Sequence, residues 1–290
     1  MSEWRPPGRV LLLGAHGLLG TALGPELRRA GLEVALPPHT ALDLRDLTEL
    51  RATVREMRPD LILNCAAQSR VDQAERDPDT AFAVNTVGAH NAALAALEGG
   101  LALLHVSTDY VFDGTRGEPY REYHPTGVPP NVYGQSKLHG EQLVRDTLPR
   151  HYIVRVAALF GAGRPDFVDW ILAQANPASP LRIVADRFVS PTWTKPLAQR
   201  VVALVATHAY GTYHIAGSGR ASWYELARAA LEISGRDPDG VIPVADSELQ
   251  SVARRASSTA LDNHLLRSRG LGELPPWRES LAAYLSSRES

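Results

Sequence analysis

The sequence predicts an α/β fold, a doubly wound parallel sheet with a smaller C-terminal lobe. Three observations predict it. From residue 9 to residue 156, short apolar runs of strand length alternate with apolar residues at helical spacing. The first run stops at a glycine cluster that opens directly into a helical pattern. Beyond Phe160 the rhythm changes to shorter, mixed elements, which divides the chain into a unit 1–160 and a lobe 161–290. Parts of that lobe are expected to return to the main sheet.

In chain order, Arg9-Val-Leu-Leu-Leu-Gly14 reads as a strand ending in a turn, and Thr21 to Ala30 as the helix after it. Leu32 to Leu36 reads as a second strand and Ala41 to Leu44 as a short third one. A helix follows from Asp46 to Met57, and Asp60 to Ala67 is a buried strand ending in small residues, which let a flat ligand pass close to the backbone. Ala81 to Leu97 is a helix that is apolar nearly all round, so Asn85 within it needs a hydrogen-bonding partner. Leu101 to Ser107 is the next strand and Tyr133 to Asp146 the next helix. The loop between them is too long for an ordinary connection, which marks it as functional. His151 to Val156 completes the first unit. The lobe reads as helix Phe167 to Ala175, strand Leu181 to Val184, helix Leu197 to Ala206, strand Thr212 to Ile215, helix Trp223 to Ile233, a polar run Ser247 to Thr259 and a helix after Pro276.

The totals bound the function. With 290 residues, 44% hydrophobic and 21% charged, the chain can bury a large core. Its 30 basic and 32 acidic residues leave a net charge of -2, so no overall field draws it to nucleic acid or an anionic membrane, and a small molecule is the expected partner. Cys65 is the single cysteine, which excludes an internal disulfide and thiolate metal clusters and fits a reducing cytoplasm. Neither a signal peptide nor a membrane span is expected. Lysine occurs only at positions 137 and 195, so 28 of the 30 basic residues are arginine. A lysine retained against that background points to a need for a compact, rotatable ammonium.

The chemistry concentrates between Leu103 and Lys137. Tyr133 and Lys137 stand four residues apart, one turn apart on one helix face. Ser107 and Thr108 end an apolar strand, where a parallel sheet opens into a crevice. A tyrosine can deliver the proton that a carbonyl oxygen needs as hydride arrives at carbon, provided that a nearby ammonium lowers its pKa toward neutrality. Thr108 or Ser107 would hydrogen-bond the same oxygen. The glycines at Gly14, Gly17 and Gly20, spaced GxxGxxG, suit a pyrophosphate held close to the backbone at a helix start, although a tight strand-to-helix turn needs such glycines without any ligand. The second strand runs out at Leu36-Pro37-Pro38-His39 with no carboxylate to repel a 2′-phosphate, which tilts the cofactor toward NADPH without excluding NADH. Asp43 is placed either to meet an adenine amino group or to cap the helix beginning near Asp46.

The strings GxxGxxG, Asn64-Cys-Ala-Ala67, Ser107-Thr-Asp-Tyr-Val-Phe-Asp-Gly114 and Tyr133-Gly-Gln-Ser-Lys137 resemble the extended short-chain dehydrogenase/reductase superfamily, and within it the dTDP-4-dehydrorhamnose reductases. Pro191-Thr192, Gly211-Thr-Tyr-His-Ile-Ala-Gly217 and Arg254-Arg-Ala-Ser-Ser-Thr-Ala-Leu-Asp262 extend the resemblance over nearly the whole chain. It implies a Rossmann-like fold and reduction, by NADPH or NADH, of the 4-keto group of a dTDP-4-keto-6-deoxy sugar, giving dTDP-L-rhamnose. By position it implies Thr108, Tyr133 and Lys137 as the catalytic residues, with Tyr133 the proton donor. Gly14, His16, Gly17, Leu18, Leu19, Asp43, Leu44, Ala66 and Ala67 would touch the cofactor, and Tyr133 and Lys137 would hold its nicotinamide ribose. Val71 and Asp109 would line the sugar pocket with Thr108. Some members bind Mg²⁺ at a contact between two copies; no cluster here requires the ion, and a homodimer stays open.

Two stretches depart from the family pattern. Where members often carry Thr-Ser-Trp, with the tryptophan against the substrate, this chain has Val156-Ala157-Ala158. The Asp-Gln-x-Gly-x-Pro-Thr stretch appears as Asp186-Arg187-Phe188-Val189-Ser190-Pro191-Thr192, so that Arg187 either meets a phosphate or makes a surface ion pair. Two other readings compete. A nucleotide-sugar epimerase or 4,6-dehydratase shares the fold, but a dehydratase needs an Asp-Glu pair after the threonine, where Asp109-Tyr110 stands here. A non-catalytic regulatory subunit like the beta subunit of methionine adenosyltransferase keeps fold and cofactor site, and Ala158 and Arg187-Phe188 resemble that group.

Overall fold

A computed structural model describes residues 8–37 and 42–288. Six parallel strands form the central sheet: β1 (Arg9–Leu13), β2 (Glu33–Ala35), β3 (Leu61–Asn64), β4 (Ala102–Thr108), β5 (His151–Val156) and β6 (Gly211–His214). Their order is β6-β5-β4-β3-β1-β2, so the winding reverses between β1 and β3, and a crevice opens there at the C-terminal strand ends. Strand β6, from the C-terminal half, pairs with β5 and completes the sheet.

Helices cover both faces because the strands are apolar on both faces. On β4, Leu104 packs with Leu12 and Leu63 beneath helices α1 (Leu18–Arg29) and α5 (Thr194–Val205). Its neighbour Leu103 packs with Leu11, Ile62 and Ala92 beneath α2 (Leu47–Met57) and α3 (Gly88–Gly99). Burying such a leucine contributes on the order of 1.5–3 kcal/mol. Helix α4 (Val132–Thr147) lies on the α3 side. The C-terminal lobe has its own cores, in which α6 (Trp223–Ile233) packs on the helix Phe167–Gln174 and on the last helix, Trp277–Ser286.

Several expectations are corrected. The third strand does not form: Ala41 lies outside the described residues, as do Pro38 and His39, and 42–44 run without strand pairing into a turn. Here Asp43 takes a bidentate contact from Arg45 at 2.9 and 2.6 Å, and Asp46 caps α2 by accepting from Thr48 N and Glu49 N. Helix α1 begins three residues before the expected Thr21, since Gly17 already turns the chain. The long apolar helix is broken into Pro78–Phe82, a π turn Ala83–Val87 and α3. That turn presents Asn85, which accepts from Gln68 N at 2.9 Å and donates to Gln68 O at 3.1 Å and Ser136 Oγ at 3.0 Å, the partners its burial demands. Val71–Arg76 and His264–Ser268 are short helices, and Val241–Val244 pairs with Leu181–Val184; none of these was legible in the periodicity. Among the described residues no helix is long and apolar enough to cross a membrane.

Candidate active site

The site is built on α4. Asn131 caps this helix by accepting from Gly134 N at 2.9 Å, and its amide donates to Arg254 O at 2.9 Å, which pins the helix start to the C-terminal segment. A Cβ at Gly134 would lie 2.2 Å from Tyr110 O, and one at Gly140 would lie 2.4 Å from Asn85 O. Glycine alone permits so close an approach to the end of β4 and to the π turn. Tyr133 and Lys137 are thereby buried together beside that strand.

Tyr133 packs on Ala74 and Ala81 and meets the edge of Tyr110 with ring centroids 5.4 Å apart. Burial raises the pKa of the phenol, and Asp109 and Tyr110 raise it further, while Thr108 pulls it down. The lowering expected from Lys137 is absent in the chain by itself. Instead Lys137 Nζ donates to Val106 O at 2.7 Å and stands 3.1 Å from His105 Nε2. Burial pushes Lys137 down to about 8, against the upward pull of Glu141 and Cys65. Beyond it, His105 Nδ1 lies 3.3 Å from Asn64 Nδ2, and Asn64 Oδ1 accepts from Ala66 N at 3.0 Å.

Ser107 and Thr108 point to opposite sides because side chains alternate along a strand. Thr108 Oγ1 donates to Asp109 Oδ1 at 3.0 Å, accepts from Tyr110 N at 3.2 Å and stands beside the phenol. Ser107 turns toward Glu141, whose carboxyl it helps to hold down, so Thr108 alone is placed to share an oxygen with Tyr133. Asp109 is buried and also accepts from Thr259. Burial pushes its carboxyl up to about 6, although both hydroxyls favour the ionised form.

The glycine turn is a cradle that side chains would fill. Gly14 has φ 75°, and a Cβ there would lie 2.6 Å from Ala66 N; a Cβ at Gly20 would lie 2.3 Å from Gly14 O. Gly17 stands at the start of α1, and no side chain caps the first amides of that helix. Free helix N–H groups beside bare backbone fit the pyrophosphate of a dinucleotide. His16 is exposed at the turn, Leu18 is half-buried, and the side chain of Leu19 belongs to the core. Ala66 lies against Gly14 just beyond the end of β3, and Ala67 after it is exposed. Leu44 is buried against Gly88, and its carbonyl accepts from Asn91 at 2.8 Å, so its part in any cofactor site is to shape the wall.

On the other side of Tyr133, Val71 begins its short helix, packs in the same cluster as the phenol ring, and lines a cavity of about 420 Å³ with Arg70, Arg76 and Arg255. Arg187 is buried, with its NH2 group 2.8 Å from Asp246 and its Nε without a partner among the described residues. The ion pair therefore exists, but not as a surface contact: Arg187 is near enough to Tyr110 and Arg255 to feel both. Ala158 holds φ 41°, an uncommon left-handed conformation for alanine, and its carbonyl accepts from Thr192 N at 3.1 Å.

The sequence reading gives no role to His105, Asn64, Glu141, Arg155 or Thr259. Two of them carried a signal. His105 lies two residues before Ser107, hence on the same strand face, and Glu141 lies one turn beyond Lys137.

Comparison with known proteins shows the family. The model of a family described as the RmlD substrate binding domain matches residues 8–289. The chain is 41% identical over 282 residues to a dTDP-4-dehydrorhamnose reductase of Streptomyces griseus, covering 95% of this chain and 92% of the relative. It is 37% identical to the spore coat polysaccharide biosynthesis protein SpsK of Bacillus subtilis, over 97% of this chain and 98% of that one. The crystal structure of a dTDP-4-dehydrorhamnose reductase from Bacillus anthracis in complex with NADP superposes with a TM-score of 0.92 at 34% identity, covering 97% and 99% of the two chains.

Proposed function

Because the chain belongs to the RmlD substrate binding domain family, we propose that it reduces the 4-keto group of a dTDP-4-keto-6-deoxy sugar, taking dTDP-4-dehydrorhamnose to dTDP-L-rhamnose with NADPH or NADH. The observation that carries this is the burial of Tyr133 and Lys137 one turn apart on α4, with Thr108 beside the phenol and Lys137 bonded to β4, together with the Gly14–Gly17 cradle. The bound dihydronicotinamide supplies the hydride. Tyr133 holds the proton for the carbonyl oxygen at its Oη, and burial keeps it there at neutral pH. Thr108 orients the same oxygen, and Asp109, fixed by Thr108 and Thr259, supports the sugar side. The unit 1–160 holds the cofactor, and 161–290 is mainly the lobe for the sugar nucleotide, with Gly211–His214 returning to the main sheet. Val71 and Ala158, which belong to the first unit, also shape the sugar pocket, and Arg187 with Arg255 from the lobe faces the negative end of the substrate.

The test is loss of dihydronicotinamide absorbance when the protein meets dTDP-4-dehydrorhamnose and NADPH. Turnover is expected; no turnover, together with tight binding to another protein, would replace this reading with the regulatory-subunit one. Tyr133→Phe is expected to lower kcat by roughly 10²–10⁴-fold while cofactor affinity, measured by fluorescence titration, stays close to that of the parent. Equal loss of both would make the tyrosine structural.

A further inference from the structure

We propose that His105, held by Asn64, is a positioning residue that governs whether Lys137 carries a proton, and through it the pH range in which the site works. The inference rests on the reading of Lys137 as part of the proton-delivery site. It comes from the direction of the hydrogen bonds. A backbone N–H can only donate, so Ala66 N fixes the Asn64 oxygen as its acceptor at 3.0 Å. The Asn64 amide nitrogen is then left to donate to His105 Nδ1 at 3.3 Å. A neutral imidazole that accepts at Nδ1 carries its proton on Nε2, the nitrogen facing Lys137 Nζ at 3.1 Å. That proton needs an acceptor, and Nζ can accept only as an uncharged amine, which donates its own N–H to Val106 O at 2.7 Å.

Placing an ammonium at the same point would set N–H against N–H. Relieving that clash moves the ring proton to Nδ1, where it meets the Asn64 amide; turning the amide over then strands Ala66 N–H. Either arrangement leaves a buried donor or acceptor without its partner, which is unfavourable. Asn64 and His105 thus disfavour the charged lysine beyond the effect of burial alone. The other titratable groups facing Lys137 are Cys65 at the end of β3, Glu141 one turn further along α4, held by Arg155 and Arg145, and Tyr133 one turn before it. Among the described residues no carboxylate pairs directly with the lysine. His105 itself stays neutral, because burial and then Lys137 push its pKa well down.

The chain has two lysines, so protein labelled with ¹³C at the lysine ε-carbon shows two signals, and Lys195→Arg assigns them. His105→Phe and Asn64→Ala each remove one link, and both are expected to raise the titration midpoint of Lys137 by about one pH unit, a tenfold gain in proton affinity. The pH profile of kcat/KM should move by the same amount in the same direction. A midpoint that stays at the parent value or falls in either folded variant overturns the proposal, even where thermal stability drops. If His105→Phe does not fold, Asn64→Ala alone decides. A shifted midpoint in a protein without reductase activity would sink the reductase reading and leave this one standing; an unmoved midpoint in an active enzyme would do the reverse.

Discussion

Lys137 and Glu141 stand one turn apart on α4, both fully buried, and the protein treats them in opposite ways. Glu141 receives the guanidinium of Arg155 through two bonds, at 2.9 and 2.7 Å, and a third contact from Arg145 at 3.1 Å. Although burial alone would raise the carboxyl, the arginines and Ser107 hold it at about 2. Among the described residues Lys137 has no such counter-ion, and burial pushes it down to about 8. The same burial therefore produces a permanently charged strut at one turn and an ammonium near its titration point at the next. The difference lies in the partner: a planar guanidinium satisfies a carboxylate in its plane, whereas an imidazole and one carbonyl leave an ammonium short of acceptors. A strut suits the fold. A group poised near neutrality suits proton chemistry.

The largest effect is expected from breaking the strut. Glu141→Gln leaves Arg155 buried without its charge partner and should lower stability by about 3–5 kcal/mol, read from the midpoint of urea unfolding. A loss within about 1 kcal/mol would mean that Arg155 finds compensation from His214, whose ring stands 3.5 Å away. The pH dependence follows with a definite sign. A carboxyl whose folded pKa lies below its unfolded value near 4.5 contributes fully above that value and loses its contribution as pH falls toward 2. Over that window the parent should lose up to roughly 3 kcal/mol of stability on account of this group, and Glu141→Gln should be much flatter. The smallest effect sharpens the contrast: Lys137→Met replaces a buried polar amine that has no carboxylate partner and should raise stability at pH 7 by about 1 kcal/mol while abolishing turnover. If it destabilises by several kcal/mol instead, Lys137 is a strut as well and the contrast fails.

Much of the architecture was legible from periodicity, because a doubly wound sheet writes itself as buried runs between amphipathic helices. His151–Val156, Leu181–Val184 and Trp223–Ile233 were read with their observed bounds. The short third strand was misread because apolar alternation over four residues does not distinguish a strand from a turn that buries one leucine. Leu44 is that leucine, and Asp43 pairs with Arg45. The short pairs in the C-terminal lobe, such as Val241–Val244 with Leu181–Val184, depend on partners about 60 residues apart, which no local pattern announces.

The sequence by itself determined the glycine turn and the Tyr133–Lys137 spacing, since both follow from backbone geometry over a few residues: glycine where a Cβ cannot fit, and four residues for one helical turn. It also singled out Lys137, through the scarcity of lysine elsewhere. Only the tertiary structure decided which way the polar groups face. It turned Ser107 away from the phenol and Thr108 toward it, buried Arg187, and lined up Ala66, Asn64, His105 and Lys137 from two strands, a strand end and a helix. Protonation depends on which donors meet which acceptors across those elements. That is a property of packing rather than of residue order.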